Sequence, residues 1–199
     1  RRRMATQQRS VQRRMGPADS ATSNALLDAT EQVLRDEGYA AATSRRIAQV
    51  AGVKQQLVYY YFRTMDDLLL ATFKRRTARA LERLEQQLAQ DNPIAMIWQD
   101  HSTRGDARLS FEFMALSNRH EGLRAEVARF IKLVRKMQAD AVERELKEKG
   151  IDIGPVTPTA AVFLMSCVNL IMGKEAASGV TEGHDDVRAL FDWAFARIT

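Results

Sequence analysis

The stretch from Thr43 to Phe62, TSRRIAQVAGVKQQLVYYYF, limits what this chain can fold into more than any other. Ile47, Ala48 and Ala51 recur at helical spacing and share one face of a short helix. Gly52 tolerates a positive φ, so it ends that helix and turns the chain, with Val53 placed to pack into the turn. A second helix follows at once. Its Val58 and Phe62 stand one turn apart and point together towards the first helix. Gln56 and Tyr60 fall on the opposite side, flanked by Tyr59 and Leu57. The outward face therefore carries amides and phenols and no acid. Amides pair with base edges and phenols donate to phosphates, which suits a helix-turn-helix whose second helix enters a major groove. A plain helical hairpin inside an all-α domain has the same spacing, and both readings fit this stretch taken alone.

The remaining sequence is helical by the same criteria. Asp19, Ser20, Thr22 and Ser23 are candidate caps for a helix from about Thr22 to Glu37, stopped by Gly38, with Tyr39 expected to tuck back into the core. Thr43 caps the next helix. Thr64 and Asp67 form a capping-box variant that opens a long helix to about Gln90. Asn92-Pro93 reads as a cap followed by proline at the first helical position, and Thr157-Pro158 repeats that signal. Gly105 and Gly122 read as breaks on either side of a helix over 107–119. A long helix then runs to Lys149, with lysines in its last turn and Gly150 after it. The segment 158–178 is apolar nearly all round, so it must be covered on more than one side, by its own core and by a second subunit. A final helix spans 185–198. No strand alternation, repeat or long linker interrupts this pattern. The expectation is an all-α protein of about nine helices.

Charge is unevenly placed. The net charge is +5, and Arg1, Arg2, Arg3, Arg9, Arg13 and Arg14 against Asp19 supply all of it within residues 1–20. That segment lacks apolar periodicity, so disorder is expected there. It is either a basic arm that tracks DNA phosphates or a solvated leader. It holds no apolar core of a secretory signal. The longest apolar run, Ala160 to Met172, is shorter than the ~20 residues a bilayer requires. The single cysteine, Cys167, excludes an internal disulfide and reads as an inert buried thiol in a reducing compartment. A cytoplasmic protein without membrane association is expected. His101, His120 and His184 have no metal-ligand spacing, and no phosphate-binding glycine loop or nucleophile elbow occurs. No enzyme activity, cofactor or metal is expected.

Gly38-Tyr39, Thr43, Ile47-Ala48, Ala51-Gly52-Val53, Val58 to Phe62 and Leu68, in that order and spacing, resemble the TetR family of transcriptional regulators over about residues 24–70. The resemblance implies an N-terminal three-helix helix-turn-helix domain (21–68) after the Arg-rich arm (1–20). A C-terminal helical ligand-binding and dimerisation domain (69–199) follows. It implies a homodimer through helices 158–178 and 185–198, and hence a palindromic double-stranded DNA operator. Carried over by position, Arg45, Gln55, Gln56 and Tyr59 fall on base-reading positions. Thr43, Lys54, Tyr60 and Tyr61 fall on phosphate-facing ones. This chain departs from the family pattern in three places. Lys54 replaces the small cap residue of the second motif helix. Gln56 replaces a common glycine. Met65 stands where a lysine often meets phosphate.

The resemblance further implies a pocket in the body for a small inducer, whose binding releases a repressor from DNA. Trp98, Phe111, Met114, Phe130, Met137 and Phe163 are apolar candidates to line it, which suits a small hydrophobic ligand. Filling the core is the competing role for each of them. Asn169 is the polar candidate, because it sits among apolar neighbours and must be satisfied there. A constitutive or architectural DNA-binding dimer without an effector is the alternative function.

Overall fold

Ser20 accepts a hydrogen bond from the Ser23 N–H at 3.1 Å and starts the first helix, α1 (Ala21–Asp36). The computed structural model describes residues 20–90, 92–99 and 107–196. Residues 1–19 of the Arg-rich arm, the Gly105 break, His101 and the end of the last expected helix lie outside the described residues. A 3-10 turn (Tyr39–Ala41) follows α1, then α2 (Ser44–Val50), α3 (Gln56–Tyr61) and α4 (Met65–Leu88). Next come α5 (Pro93–Gln99), α6 (Ala107–Ser117), α7 (Glu121–Lys149), α8 (Pro158–Ala177) and α9 (His184–Phe195). No strand occurs among the described residues. The chain divides into two units, the first ending at Thr72 and the second beginning at Phe73, within α4.

In the first unit α1 packs on α2, and α2 on α3. Leu26, Val33 and Leu34 of α1 meet Ile47 and Ala48 of α2 and Val58 of α3 in a fully buried core, with Phe62 and Leu68 completing it. Thr30, buried mid-helix, sends its hydroxyl to the Leu26 carbonyl at 2.7 Å, so its polar atom is not stranded. Tyr39 does not tuck in. It is 37% exposed, because the chain leaves Gly38 at φ +81° into the 3-10 turn and carries the ring to the surface.

The second unit is built on α7, which packs against α5, α6 and α8. Leu84 and Leu88 of α4, Ile97 and Trp98 of α5, Val142 and Leu146 of α7, and Val162 and Met165 of α8 form its main core. Trp98 stacks on Phe191 of α9, ring centroids 3.9 Å apart and planes 16° from parallel. A second aromatic group joins Phe73, Phe113 and Phe130 edge to face.

The junctions show where local signals held and where they did not. Thr157 caps α8 by accepting from the Ala160 N–H, and Gly150 closes α7 at φ +66°, with the Ile151 N–H reaching back to the Leu146 carbonyl. Gly122 is not a break: it lies in the first turn of α7. The break falls at Asn118–His120, where Arg124 donates to the carbonyls of Ser117 and Asn118 at 3.1 and 2.9 Å and satisfies the free end of α6. Asn92 does not cap α5 with its side chain. That side chain accepts from Lys149, and the buried Glu145 carboxylate accepts the Ile94 N–H at 2.9 Å instead. Cys167 is half-buried rather than enclosed.

α8 has 20 residues and is long and apolar enough, by length and composition, to cross a bilayer. The 13-residue apolar run understated it, because Ala177 and the residues near Pro158 extend the helix on both sides. Its inner residues Val162, Met165, Asn169 and Met172 are buried in the second unit. Phe163, Leu164 and Ile171 stand on its outer face and are about half exposed.

Candidate nucleic-acid interface

The site is built on the α2–α3 corner. Thr43 starts α2 by accepting the Arg46 N–H at 3.2 Å. α2 ends at Ala51; Gly52 follows at φ +67°, and the Val53 N–H returns to the Ala48 carbonyl at 3.0 Å. These bonds satisfy the carbonyls that α2 leaves open and set the direction in which the chain enters α3. Val58 is fully buried against α2, which fixes the rotation of α3 about its axis. The opposite side then faces solvent: Gln55 and Gln56 are exposed, Tyr59 is 50% exposed and Tyr60 43%. Tyr61 is half-buried and meets the Tyr60 ring edge to face at 5.0 Å.

α3 has no side-chain cap, in keeping with Lys54 in place of a small cap residue. The Gln55 side chain reaches back to α2 instead, its Nε2 donating to Ser44 Oγ at 2.9 Å. The Tyr59 hydroxyl donates to the same oxygen at 3.1 Å. Ser44 is nearly buried and was not among the residues singled out from sequence. Its signal was a hydroxyl at the first position of α2, one residue after the cap, where a side chain faces the next helix.

Electrostatics favour an anion on this side of the unit. From Gly38 to Met65 the sequence holds Arg45, Arg46, Lys54 and Arg63 and no acid. Arg45, Lys54 and Arg63 are exposed. Arg46 is engaged by Glu37, with its Nη2 2.8 Å from Oε1 and its Nε 3.0 Å from both carboxylate oxygens. Hydrogen bonding from Arg46, aided by its charge, holds the Glu37 carboxyl below its usual range, and raises Arg46 in turn.

Residues 26–72 match the family model described as bacterial regulatory proteins, tetR family. The fold and this corner define a helix-turn-helix protein. The first unit matches that family, and the chain shares the fold of solved TetR regulators. It is 32% identical over 63 residues to the fatty acid metabolism regulator protein of Bacillus subtilis, a stretch covering 32% of each chain. The chain spans a third or less of the length of the curated relatives it matches. Over most of its length it is similar in fold to a TetR transcription regulator from Haloarcula marismortui, at 20% identity and TM-score 0.69, covering 85% of this chain and 93% of the other. It is also similar to FadR from Bacillus subtilis solved with stearoyl-CoA, at 18% identity and TM-score 0.62, covering 78% and 87%.

The residues expected to line a ligand pocket do not converge on one space. Trp98, Met137 and Asn169 belong to the main core of the second unit. Phe130 belongs to the Phe73 group, and Phe111 is half-buried. Met114 and Phe163 lie on the surface, the latter beneath the Arg135 guanidinium at 4.8 Å. Asn169 donates to the Trp98 carbonyl at 3.2 Å, which satisfies the end of α5, while its Oδ1 is buried without a hydrogen-bond partner. An apolar groove of about 170 Å³ lies elsewhere, between Leu146, Ile153, Leu164, Met165 and Phe195. No group of histidine, cysteine and carboxylate side chains that could hold a metal occurs among the described residues.

Proposed function

We propose that this chain is a DNA-binding transcriptional regulator that works as a homodimer on a palindromic operator, and that it is a repressor released by a small hydrophobic inducer. The observation that carries the reading is the outward row of Gln55, Gln56, Tyr59 and Tyr60 at the start and along α3, in a stretch that also exposes Arg45, Lys54 and Arg63. Arg45, Gln55, Gln56 and Tyr59 read base edges; Thr43, Lys54, Tyr60 and Tyr61 hold phosphates. The dimer is supported by an exposed apolar face on α8 and α9. Phe163, Leu164, Ile171, Leu190 and Trp193 are each about half exposed or more in the single chain, and exposed apolar groups in such number mark an interaction surface. A cytoplasmic location follows from the DNA target.

A hydrophobic effector is supported by the apolar, methionine-containing core of the second unit and by the fold shared with a regulator solved with stearoyl-CoA. One observation favours a second reading, a constitutive DNA-binding dimer: the apolar groove among the described residues, about 170 Å³, is smaller than the ~300–1,000 Å³ of ordinary ligand pockets. The test is selection of bound sequences from a random duplex pool, repeated with a long-chain acyl-CoA added. A palindrome lost on addition supports the inducible repressor. A palindrome indifferent to acyl-CoA and to other hydrophobic compounds supports the constitutive dimer. Binding without sequence preference contradicts both.

A further inference from the structure

We infer that Ser44 is a positioning residue for sequence discrimination: its hydroxyl holds Gln55 and Tyr59 in the orientation in which they meet base edges. The inference rests on the DNA-binding reading above and names a residue that makes that surface specific.

Ser44 Oγ accepts from Gln55 Nε2 at 2.9 Å and from the Tyr59 hydroxyl at 3.1 Å. A serine oxygen has two acceptor positions, so both are filled. The oxygen is itself fixed. Ser44 is 8% exposed, has a single side-chain torsion, and begins a helix started by Thr43 and packed on α1. Gln55 and Tyr59, by contrast, project into solvent. A free glutamine there would have to give up its rotamer freedom on meeting DNA, at a cost that weakens the contact. Anchoring it to α2 settles that cost before DNA arrives.

The bonds also decide what each side chain can offer. Gln55 has one N–H committed to Ser44 and is left with its other N–H and Oε1. That donor–acceptor pair matches N7 and the N6 amino group of adenine in the major groove. Tyr59 has its only proton committed, so its oxygen faces outward as an acceptor. An acceptor meets a base amino group; it does not meet a phosphate, which accepts only. Ser44 therefore selects a base-reading role for Tyr59 over a backbone-binding one.

Removing the hydroxyl strands nothing in the interior, because Gln55 and Tyr59 are hydrated when released. Ser44→Ala is thus expected to fold, with an unchanged thermal midpoint for the first unit. The experiment uses the full chain and the duplex that the wild type selects best, with each base pair of one half-site changed in turn. Affinity for every duplex is read for the wild type, Ser44→Ala, Ser44→Thr, Gln55→Ala, Tyr59→Phe and the double variant Ser44→Ala/Gln55→Ala.

The expected result is that Ser44→Ala loses discrimination by roughly fivefold or more, at the base pairs that Gln55→Ala and Tyr59→Phe also affect. The double variant loses no more at the Gln55 pair than Gln55→Ala alone, and Ser44→Thr restores the preference. Ser44→Ala with the wild-type profile overturns the inference. So does a uniform loss on all duplexes, which would make Ser44 a backbone contact, or Gln55→Ala and Tyr59→Phe that change no preference. These three outcomes leave the DNA-binding reading standing. A wild type that selects no duplex overturns that reading and the inference with it.

Discussion

The carboxylate of Glu145, in the last third of α7, accepts the backbone N–H of Ile94 at 2.9 Å and so caps a helix 51 residues earlier in the chain. Its other oxygen meets Lys149 at 2.9 Å, one turn on. A nearly buried charge is thereby paired on both oxygens, and an open end of α5 is satisfied. Glu145→Ala would leave the Ile94 N–H buried and unmet, and should lower the stability of the second unit by ~1–3 kcal/mol. Glu145→Gln keeps an acceptor and should cost less. Urea denaturation followed by circular dichroism ranks the three proteins.

Gly52 sits at φ +67°, and a Cβ built on it would meet nothing within 4 Å. Space is available and only the backbone conformation resists a side chain. Gly52→Ala is therefore expected to destabilise the first unit by about 1–2 kcal/mol, and Gly52→Asn by less, since asparagine tolerates this region better. Equal losses from the two variants would show that something other than backbone conformation decides the position.

Glu37 is held below the usual carboxyl range chiefly by hydrogen bonding from Arg46, which outweighs an opposing effect of burial, with the Arg46 charge adding a lesser share. A depressed carboxyl contributes its stability above the ordinary value, about 4.5, and loses it as pH falls through the depressed one. Glu37→Gln should therefore be less stable than the wild type at neutral pH, and the gap should close as the solution is acidified below about 4.5. Urea midpoints across that range measure it. The pair is exposed, so added salt should narrow the gap as well.

Trp193 is 55% exposed, on the same outer face of α9 as Leu190. A charge placed there should break the proposed dimer without disturbing the core, because the inner stripe of α9 is carried by Phe191 and Phe195 against Trp98. Sedimentation should find Trp193→Glu shifted to the monomer with its helicity intact. A variant that stays dimeric would place the interface elsewhere.

What the sequence disclosed was mostly local chemistry. The Thr64–Asp67 box, with Thr64 N–H to Asp67 Oδ2 at 3.1 Å and Asp67 N–H to Thr64 Oγ1 at 3.0 Å, involves four consecutive residues and could be read directly. The same is true of Thr43, Gly52, Thr157-Pro158 and Gly150. Glu145 was not legible, because the helix it caps is distant in the chain and an Asn92-Pro93 pair already looked sufficient. Ser44 was not legible either, since its two partners depend on how α2 and α3 cross. Helical periodicity identified Phe163 as apolar but could not say which side of α8 faces inward. On a helix apolar nearly all round, the stripe that marks the inside is missing. The main core and the arrangement of α1 to α3 escaped that difficulty, because their helices are amphipathic.

The central claim is that the outward row of α3 reads DNA sequence, and Gln56 tests it most directly. It is exposed, it begins α3, and no hydrogen bond to Ser44 complicates it. Affinity of Gln56→Ala should be measured against the selected duplex and against duplexes changed at each base pair of a half-site. The account predicts that discrimination falls by about 1–3 kcal/mol at one or two base pairs and is kept at the rest. Unchanged affinity for every duplex, or a loss spread evenly over all of them, would contradict it.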